Sequence, residues 1–391
     1  MTCSSYCVKV PGKLLIAGEY AVLEPNQRAV VIAINRYITV YIDQSIHNQL
    51  SLPQLGYENV SWEMNAKHVQ FNISDPKLDF IQNSIRVVNQ YLQENSVELK
   101  PFSLTIKSDL DDPTTGRKYG LGSSAAVVVS VISAVLMLHS SDGTIRPTLE
   151  TVFKLAAIAH LKTQKNGSGV DIAASTFGGW LCYSAFKPNW VLNELQQVKT
   201  LTELIEKPWP NLSITPLTAP THLKLCVGWT GEAASTAPMI KKVQEFRTSN
   251  LESYARFLKE TSDAVNRLLK SFEINDCNGA IESLTQNRKI LMRLGEQAGI
   301  NIETSKLKDL SDLAETFGSG KSSGAGGGDC GIAFLKEDGQ IEELYKAWKN
   351  AGVIPLKLSV SEEGASVTEY NSEISMNEYN HEVSTKEYSY Q

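Results

Sequence analysis

The chain has 391 residues, of which 42% are hydrophobic and 20% are charged, and its formal net charge is -6. That length exceeds the usual size of one domain and the composition is that of an ordinary globular protein, so two domains are expected. No basic run suits a nucleic-acid backbone, and any phosphate that the protein binds is therefore expected on a small molecule.

The cellular location is predicted from features that the sequence lacks. The start, MTCSSYCVKVPGKLL, does not have the charged, apolar and small-residue parts of a secretory signal. The longest apolar run, at 125–138, is shorter than the roughly 20 residues that span a bilayer. The six cysteines do not have the spacing of a disulfide framework or a zinc site. We therefore expect a cytoplasmic protein with reduced cysteines and no membrane partner.

Residues 1–215 carry the pattern of a sheet covered by helices. Strands are predicted in AVVIAINRYITVYI, HVQFNIS and FSLTIKS. Helices are predicted at DFIQNSIRVVNQYLQEN, in the apolar run that begins at SSAAVVV, and at LETVFKLAAIAHLKTQ. This mixture predicts an α+β first domain.

Residues 216–360 are predicted to form a second, smaller domain. A strand at LKLCVGW is followed by helices at SYARFLKETSDAVNRLLKSF, CNGAIESLTQNRKILMRLG and SKLKDLSDLAETF. The strands DCGIAFL and IPLKLSV complete the domain, so we expect a few helices packed on a small sheet.

Residues 361–391 form an acidic tail with an internal repeat. The pair Glu-Tyr recurs at 369–370, 378–379 and 387–388. The tail has few large aliphatic side chains to bury, so we expect it to be mostly disordered. A short segment for partner binding or modification is the alternative.

Three glycine-rich segments compete to carry the chemistry: PGKLLIAGEYAV at 11–22, YGLGSSAA at 119–126 and GSGKSSGAGGGDCG at 318–331. The middle segment matches the spacing of a dinucleotide fingerprint, but a polar loop separates it from the preceding strand, so that interpretation fails. The third ends like a Walker P-loop, but Glu315 stands where that motif needs its first glycine, and a predicted helix precedes it.

The middle segment keeps a more general property. A glycine loop that opens a helix leaves N–H groups free at the positive end of the helix dipole, where phosphate binds well. Ser123 and Ser124 add hydroxyl groups, and Arg117 and Lys118 add cations. The loop therefore predicts a phosphate site, with helix-capping serines after a flexible turn as the structural alternative.

Three motifs of the chain resemble, in their order and spacing, those of the GHMP kinases: PGKLLIAGEY, GLGSSAA and SGAGGGDCG. This family includes galactokinase, homoserine kinase and mevalonate kinase. The resemblance extends over residues 8–360. Within this family GEYAV, KYGLGSSAA and GWTGEAAST are most similar to the bacterial-type phosphomevalonate kinases. The resemblance implies an N-terminal mixed-sheet domain with a left-handed crossover, a ferredoxin-like C-terminal domain, and an active site between them.

The activity implied by the resemblance is the phosphorylation of (R)-5-phosphomevalonate by ATP with Mg2+, which yields (R)-5-diphosphomevalonate and ADP in the mevalonate route to isoprenoids. Lys13 would contact the transferred phosphoryl group with Lys118 nearby, and Asp171 in SGVDIAAS occupies the family's catalytic aspartate position. Ser124, or Ser123, would be a Mg2+ ligand. The ATP phosphates would lie on Gly120, Leu121, Gly122, Ser123, Ser124 and Ala125. The residues expected around the acceptor are Glu19, Tyr20, Ser168, Gly169, Ser235, Thr236, Arg288, Lys321, Ser323, Gly324, Ala325 and Gly326.

One position departs from the mevalonate kinase pattern. Those enzymes have a magnesium-binding glutamate about three helical turns before the catalytic aspartate, and the matching residue here is His160. In an apolar helix, His160 is expected to be a packed core histidine. We therefore expect phosphates, a serine and water to hold Mg2+, which this hard ion permits.

The acceptor's chemistry gives Asp171 its expected role. A phosphate monoester has a second pKa near 6, so an attacking oxygen is already largely ionised at pH 7. The barrier then lies in bringing two anions together, which cations must offset. Our hypothesis is that Asp171 mainly orients Lys13 and the acceptor, and that its role as a base is minor. For Arg288, a solvated surface arginine is the equal alternative.

Two other functions stay open at this point. The chain could be another GHMP enzyme, namely mevalonate kinase or, less favoured, diphosphomevalonate decarboxylase. It could also be a catalytically inactive ligand-binding regulator, because a fold alone does not fix a function. The presence of Lys13, Ser124 and Asp171 together argues for an active enzyme.

Overall fold

The computed structural model describes residues 5–65, 68–140, 146–165, 167–370 and the pair 387–388. The strands are β1 (Ser5–Ala17), β2 (Arg28–Gln44), β3 (Gln49–Leu52), β4 (Tyr57–Asn65), β5 (His68–Phe71), β6 (Phe102–Ser108), β7 (Trp180–Ser184), β8 (Ser213–Leu217), β9 (Lys224–Trp229), β10 (Gly318–Ser322), β11 (Cys330–Leu335), β12 (Ile354–Leu356), β13 (Ser366–Glu369) and β14 (Glu387–Tyr388). The α-helices are α1 (Asp79–Glu94), α2 (Ser123–His139), α3 (Leu149–Gln164), α4 (Val170–Phe177), α5 (Pro188–Gln197), α6 (Leu201–Glu206), α7 (Thr236–Ser249), α8 (Leu251–Glu273), α9 (Cys277–Ala298), α10 (Ser305–Glu315) and α11 (Gly339–Asn350).

The first sheet is built on the two long strands β1 and β2, which pair antiparallel. Strands β6 and β7 extend it from β2, and β3 pairs in parallel with β6. The chain therefore crosses over through β4, β5 and α1 before it re-enters the sheet. The register of β1 shifts between Pro11 and Gly12, and such an irregularity re-aims the side chains that follow it. The next residue is Lys13, so this bend lies at the predicted site.

Helix α2 is the central helix of the first domain. It is apolar on all sides, and a helix of that kind is buried within a core. It packs against β1, α1, α3 and α4, while α1 carries an amphipathic pattern and keeps its polar side outward. The middle glycine loop precedes α2 directly, so the packing of α2 fixes that loop in the domain. Within the described residues, no helix combines the length and apolarity of a membrane span.

The second sheet has the strand order β10-β11-β9-β12 and is antiparallel throughout. Helices lie between β9 and β10, a short loop joins β10 to β11, and α11 joins β11 to β12. This is the ferredoxin-like order that we expected. Leu310 of α10 and Trp348 of α11 are buried with the strands in one cluster. The predicted α+β architecture, with a mixed first sheet and a ferredoxin-like second sheet, is thus confirmed.

The chain returns to the first sheet after the second domain, which corrects the prediction of a disordered tail from residue 361. Residues 361–370 are ordered, and β13 pairs antiparallel with β1, with Thr368 opposite Cys7. Val367 is 1% exposed, and Tyr370 donates a hydrogen bond to Asp43 at 2.7 Å. β14 pairs with β13, whereas 371–386 and 389–391 lie outside the described residues. At the other boundary, β8 pairs with β7, so the first sheet extends to residue 217.

Candidate active site

Lys13 and Asp171 form an ion pair on adjacent elements. Lys13 follows the irregularity in β1, and Asp171 lies in the first turn of α4. The Lys13 Nζ is 3.5 Å from the Asp171 Oδ1. Ser175 donates a hydrogen bond to the Pro11 carbonyl at 2.8 Å, which fixes α4 on the strand. The side chain of Asp171 is 39% exposed, so the pair remains accessible to a ligand.

The middle glycine loop lies beside this pair. The N–H of Lys13 donates to the Leu121 carbonyl at 2.8 Å, which joins β1 to the loop. Gly122, with φ of +82°, is the capping residue of α2, so Ser123 and Ser124 take the first two helical positions. A Cβ at Gly122 would lie 2.8 Å from the Lys13 Cγ, and only glycine lets the lysine pass there. An ammonium group, free helical N–H groups and two hydroxyls therefore meet at one place, which suits phosphate.

The second domain braces this loop from the other side. The rings of Tyr119 and Trp229 pack edge to face, with centroids 4.9 Å apart. A Cβ at Gly120 would lie 2.5 Å from the Asp329 Oδ2, and the Asp329 Oδ1 accepts a hydrogen bond from the Ala234 N–H at 3.2 Å. Burial raises the pKa of the Asp329 carboxyl. Asp329 is absent from the residues that the sequence predicts, although an acid directly after three glycines was a usable signal.

Arg117 and Lys118 lie on the exposed rim of the loop. The Arg117 Nη1 donates to the Gly231 carbonyl at 3.1 Å, which links the loop to the second domain. Lys118 forms an isolated backbone bridge with Asp111 and acts electrostatically on Asp329. The structure thus places Lys118 at the edge of the middle glycine loop.

A cavity of about 200 Å³ opens between the two domains next to Lys13 and Asp171. Its walls come from the first glycine segment, the start of α4, the start of α7 and the third glycine segment. The predicted residues that line it are Lys13, Glu19, Tyr20, Ser168, Gly169, Asp171, Thr236, Gly324 and Ala325. The fold therefore brings distant parts of the sequence together around one space.

His160 lines the same cavity, which corrects its prediction as a packed core residue. Its ring is tilted against Phe80 with centroids 5.1 Å apart. Burial lowers the pKa of His160, although the nearby Asp171 carboxylate acts in the other direction. At neutral pH the cavity wall therefore presents an uncharged imidazole at this position.

The other predicted acceptor residues lie outside the lining of the cavity. Ser235 is the capping residue of α7, one position before Thr236. Ser323 donates a hydrogen bond to the Leu15 carbonyl at 3.0 Å, and Gly326 packs against the Ile302 carbonyl. These contacts hold the third glycine segment against its neighbours.

Arg288 is engaged by carboxylates, which corrects its expected contact with the acceptor. Its side chain is 5% exposed and forms ion pairs with Glu303 at 2.8 Å, Asp312 at 2.6 Å and Glu315 at 2.9 Å. The guanidinium is thus fully used inside the second domain. The acids that neutralise it lie 15 or more residues further along the chain, so the helix pattern alone did not reveal them.

Lys321 is likewise not a cavity residue. Its side chain is 0% exposed, and its ammonium forms an ion pair with Glu19, which is 1% exposed. The Asn287 Nδ2 donates to the second carboxylate oxygen of Glu19 at 2.9 Å. Burial lowers the pKa of Lys321, and the Glu19 carboxylate opposes that effect. Lys321, predicted to contact the acceptor directly, instead contacts a residue that lines the cavity.

A second cavity, of about 420 Å³, shares Leu23, Gly167, Ser168 and Ile240 with the first one. Its cations are Lys165, Lys187 and Arg247, and Phe186 and Trp190 provide apolar walls. Its one acid is Glu24, which is 2.9 Å from the Arg247 Nη1. An excess of positive charge therefore lines a space adjacent to the cavity at Asp171.

Comparison with known proteins relates this site to a family. The model for the GHMP kinases N terminal domain matches residues 80–179, and that for the GHMP kinases C terminal matches residues 274–354. The phosphomevalonate kinase of Streptomyces sp. (strain CL190) is 35% identical over 370 residues, covering 90% of this chain and 96% of that protein. The mevalonate kinase of Pyrococcus horikoshii is 26% identical over 371 residues, covering 92% and 96%.

Solved structures agree with these relatives. The Streptococcus pneumoniae phosphomevalonate kinase in complex with phosphomevalonate and AMPPNP matches with a TM-score of 0.79 and 29% sequence identity. The match covers 91% of this chain and 99% of that one. Both family models fall on the two domains seen in the fold, and the middle and third glycine segments meet at their junction. The chain belongs to the GHMP kinase family.

Proposed function

We propose that this protein transfers the γ-phosphoryl group of ATP to (R)-5-phosphomevalonate and so forms (R)-5-diphosphomevalonate and ADP. The observation that carries the proposal is the Lys13–Asp171 ion pair, 3.5 Å long, between the phosphate-binding loop and the cavity. The choice of acceptor is supported by the relative that is 35% identical and named phosphomevalonate kinase.

The nucleotide phosphates would bind at the start of α2. Gly120, Gly122 and the N–H groups of Ser123 and Ser124 offer backbone donors at the positive end of a helix that no side chain caps. Lys13 crosses this helix start and points its ammonium toward Asp171. The loop thus holds the donor so that its last phosphate lies beside the cavity.

The donor set at this loop fits magnesium. Within the described residues, no group of three or more His, Cys, Asp or Glu side chains could hold a metal ion. Mg2+ usually keeps several waters and binds through few protein ligands plus substrate phosphates, so Ser124, or Ser123, would be enough. When bound, Mg2+ would neutralise charge on the phosphates.

The chain's own residues would provide the remaining charge compensation. An oxygen of the acceptor phosphate forms a bond to the γ-phosphorus while the bond from that phosphorus to the ADP oxygen breaks. The attacking oxygen is already largely ionised at neutral pH, because the second pKa of a phosphate monoester is near 6. No general base is needed, so we assign to Lys13 the stabilisation of the transferred group and to Asp171 the orientation of Lys13.

The two adjacent cavities suit an acceptor that is charged at both ends. The acceptor's phosphate would lie near Lys13, and its carboxylate would extend past Ser168 toward Lys165 and Lys187. Burial leaves His160 neutral at the cavity wall, so it adds no charge next to the reacting phosphates. The cations of the second cavity would therefore offset the far end of the substrate.

Mevalonate kinase activity is the alternative, but the relative of that name is more distant, at 26% identity. The test is ADP release by the purified protein with ATP and Mg2+, with (R)-5-phosphomevalonate and (R)-mevalonate supplied in parallel. We expect turnover with the phosphorylated acceptor only. Turnover with mevalonate alone would contradict the proposal, and silence with both would favour a ligand-binding regulator.

The cytoplasmic location expected from the sequence belongs to the same proposal. Cys7, Cys182, Cys226, Cys277 and Cys330 are all free thiols, which accords with a reducing compartment. Fractionation of the host cell would test it, and recovery of the protein outside the cytoplasmic fraction would contradict it.

A further inference from the structure

A buried, charged cluster joins the two domains below the acceptor cavity. It consists of Glu19, which follows β1, Lys321 on β10 and Asn287 on α9, and we call it the Glu19 cluster. Glu19 and Lys321 are 1% and 0% exposed, and 302 residues of sequence separate them. The cluster is therefore made only when the two domains are assembled.

Every polar group of the central pair has a partner. The Lys321 ammonium donates to Glu19, to the Ile16 carbonyl at 3.1 Å and to the Ser322 carbonyl at 2.7 Å, which uses all its protons. One carboxylate oxygen of Glu19 accepts from Lys321 and the other accepts from Asn287. Such a fully bonded group has a fixed position and is poorly suited to follow a moving ligand.

Stability alone gives little reason for this arrangement. The cost of removing two charges from water often cancels their attraction, and apolar residues of similar volume can replace a buried ion pair without loss of stability. What a bonded pair adds is a defined geometry. The residues next to the pair show what that geometry controls.

The residue after Glu19 is Tyr20, which has a φ of +58° that is unfavourable for a tyrosine. Its hydroxyl donates a hydrogen bond to the Ala325 carbonyl at 2.6 Å. Burial, and then the Glu19 carboxylate, raise the pKa of Tyr20, so the phenol keeps its proton and acts as the donor. Tyr20 and Ala325 both line the cavity, one from each domain, so this hydrogen bond joins the two domains at the cavity wall.

Lys321 supports the part of the cavity wall that comes from Gly324 and Ala325. It lies at the end of β10, and the next residues lead through Ser323, which bonds to the Leu15 carbonyl at 3.0 Å, to Gly324 and Ala325. A single ammonium group thus holds the strand from which the third glycine segment starts and the corner from which Tyr20 projects.

We propose that the Glu19 cluster positions Tyr20 and the third glycine segment across the acceptor cavity, and that it sets acceptor affinity without contacting the reacting atoms. Lys321 and Asn287 are positioning residues in this assignment. The inference rests on the proposed function only for the identity of the acceptor.

The test compares Lys321→Met with the double variant Glu19→Gln/Lys321→Met. The single change leaves a buried carboxylate without its cation, so both stability and acceptor binding suffer. The double change removes both charges, so we expect the Tm to recover much of the loss while the acceptor KM stays raised by about tenfold or more. The KM for ATP should stay within about twofold of the wild-type value, because the middle glycine loop is not part of the Glu19 cluster.

Lys154→Met is the matched control, because Lys154 is also a buried lysine, 3% exposed, that pairs with Glu150 and donates to the Ile205 and Lys207 carbonyls, but it does not line the cavity. We expect it to lower the Tm without a selective rise in acceptor KM. Asn287→Ala is a milder variant that tests the same assignment if Lys321→Met does not fold. A wild-type acceptor KM in the double variant, or an equal rise in Lys154→Met, would overturn the proposal.

A second readout separates this inference from the proposed function. The Val22 and Leu23 amides are hydrogen-bonded to Gly18 and Tyr20 at 3.0 and 3.1 Å, so their hydrogen exchange reports on the corner at Tyr20. Lys321→Met and Asn287→Ala should speed that exchange, whatever the acceptor is, and Lys154→Met should leave it unchanged. Unchanged exchange in the cluster variants would refute the positioning role, whereas no turnover by the wild type would refute the acceptor alone.

Discussion

Replacement of Gly122 by alanine tests whether the position of Lys13 governs activity. The added Cβ would lie 2.8 Å from the Lys13 Cγ and 3.0 Å from its Cε, whereas ordinary contact begins at 3.4 Å. The lysine stem must therefore move by about 0.6 Å, and a misplacement of about 1 Å at a reacting centre can cost about 100-fold in rate. We expect Gly122→Ala to lower kcat/KM by about 10- to 100-fold in the ADP-release assay.

The same change also strains the backbone, because Gly122 has a φ of +82°. An L-residue in the left-handed region costs about 1–2 kcal/mol, so the Tm should fall as well. Gly56→Ala is the matched control, since Gly56 has a φ of +75° and a Cβ there would meet nothing within 4 Å. It should lose similar stability and keep full activity. Wild-type kcat/KM in Gly122→Ala, or a comparable loss in Gly56→Ala, would refute the reasoning.

Three further predictions follow from the site and the fold. Asp171→Asn should lower kcat/KM by a factor that corresponds to a loss of less than about 4 kcal/mol of transition-state stabilisation. A larger loss would indicate that Asp171 is a general base. Burial lowers the pKa of His160 in the folded protein, so its protonation below the ordinary pKa of 6.5 favours the unfolded state, and the Tm should fall as the pH is lowered. His160→Phe should make the Tm less dependent on pH in this range. An unchanged pH dependence of the Tm would contradict this prediction. Val367→Asp should lower the free energy of unfolding by several kcal/mol, which is about the cost of a buried unpaired charge. Ser366→Asp is the control and should have little effect, because Ser366 is partly exposed. Equal Tm values for the two variants would argue against the pairing of β13 with β1.

The helices and strands and the middle glycine loop could be predicted because their sequence signals are local. The run of apolar residues after Ser124 indicates a buried helix, and the glycines before it leave its N–H groups free, so a phosphate site follows from a few adjacent residues. Lys13 and Asp171 were predicted through motifs, and the structure brings them into contact. The ferredoxin-like strand order of the second sheet was expected from the resemblance to the family, not from the pattern of the elements.

The partners of buried charges could not be predicted in the same way. Lys321 and Arg288 stand in polar segments that resemble surface sequence, and the acids that neutralise Lys321 and Arg288 are 302 residues and 15 to 27 residues away. Only tertiary packing decides that Lys321 meets Glu19. The prediction of His160 as a packed core residue was wrong for a related reason, because an apolar helix face can border a cavity as well as a core.

β13 was missed because a strand of four residues has a weak signal. Val367 is the one buried residue of that strand, and the strand is otherwise held by backbone pairing with β1 and β14 and by a hydrogen bond from Thr368 to the Cys7 carbonyl. A compositional argument that counts aliphatic side chains cannot detect a segment held mainly by its backbone.

The return of the chain to β1 has a consequence for biosynthesis. β13 is translated only after the whole second domain, so during synthesis the outer edge of β1 stays unpaired while more than 200 residues of other structure are made. An unpaired edge strand invites pairing with other chains. The strand that carries Lys13 is therefore paired on its outer edge only after the second domain has been made. A chain truncated before residue 366 would expose this edge and is expected to aggregate.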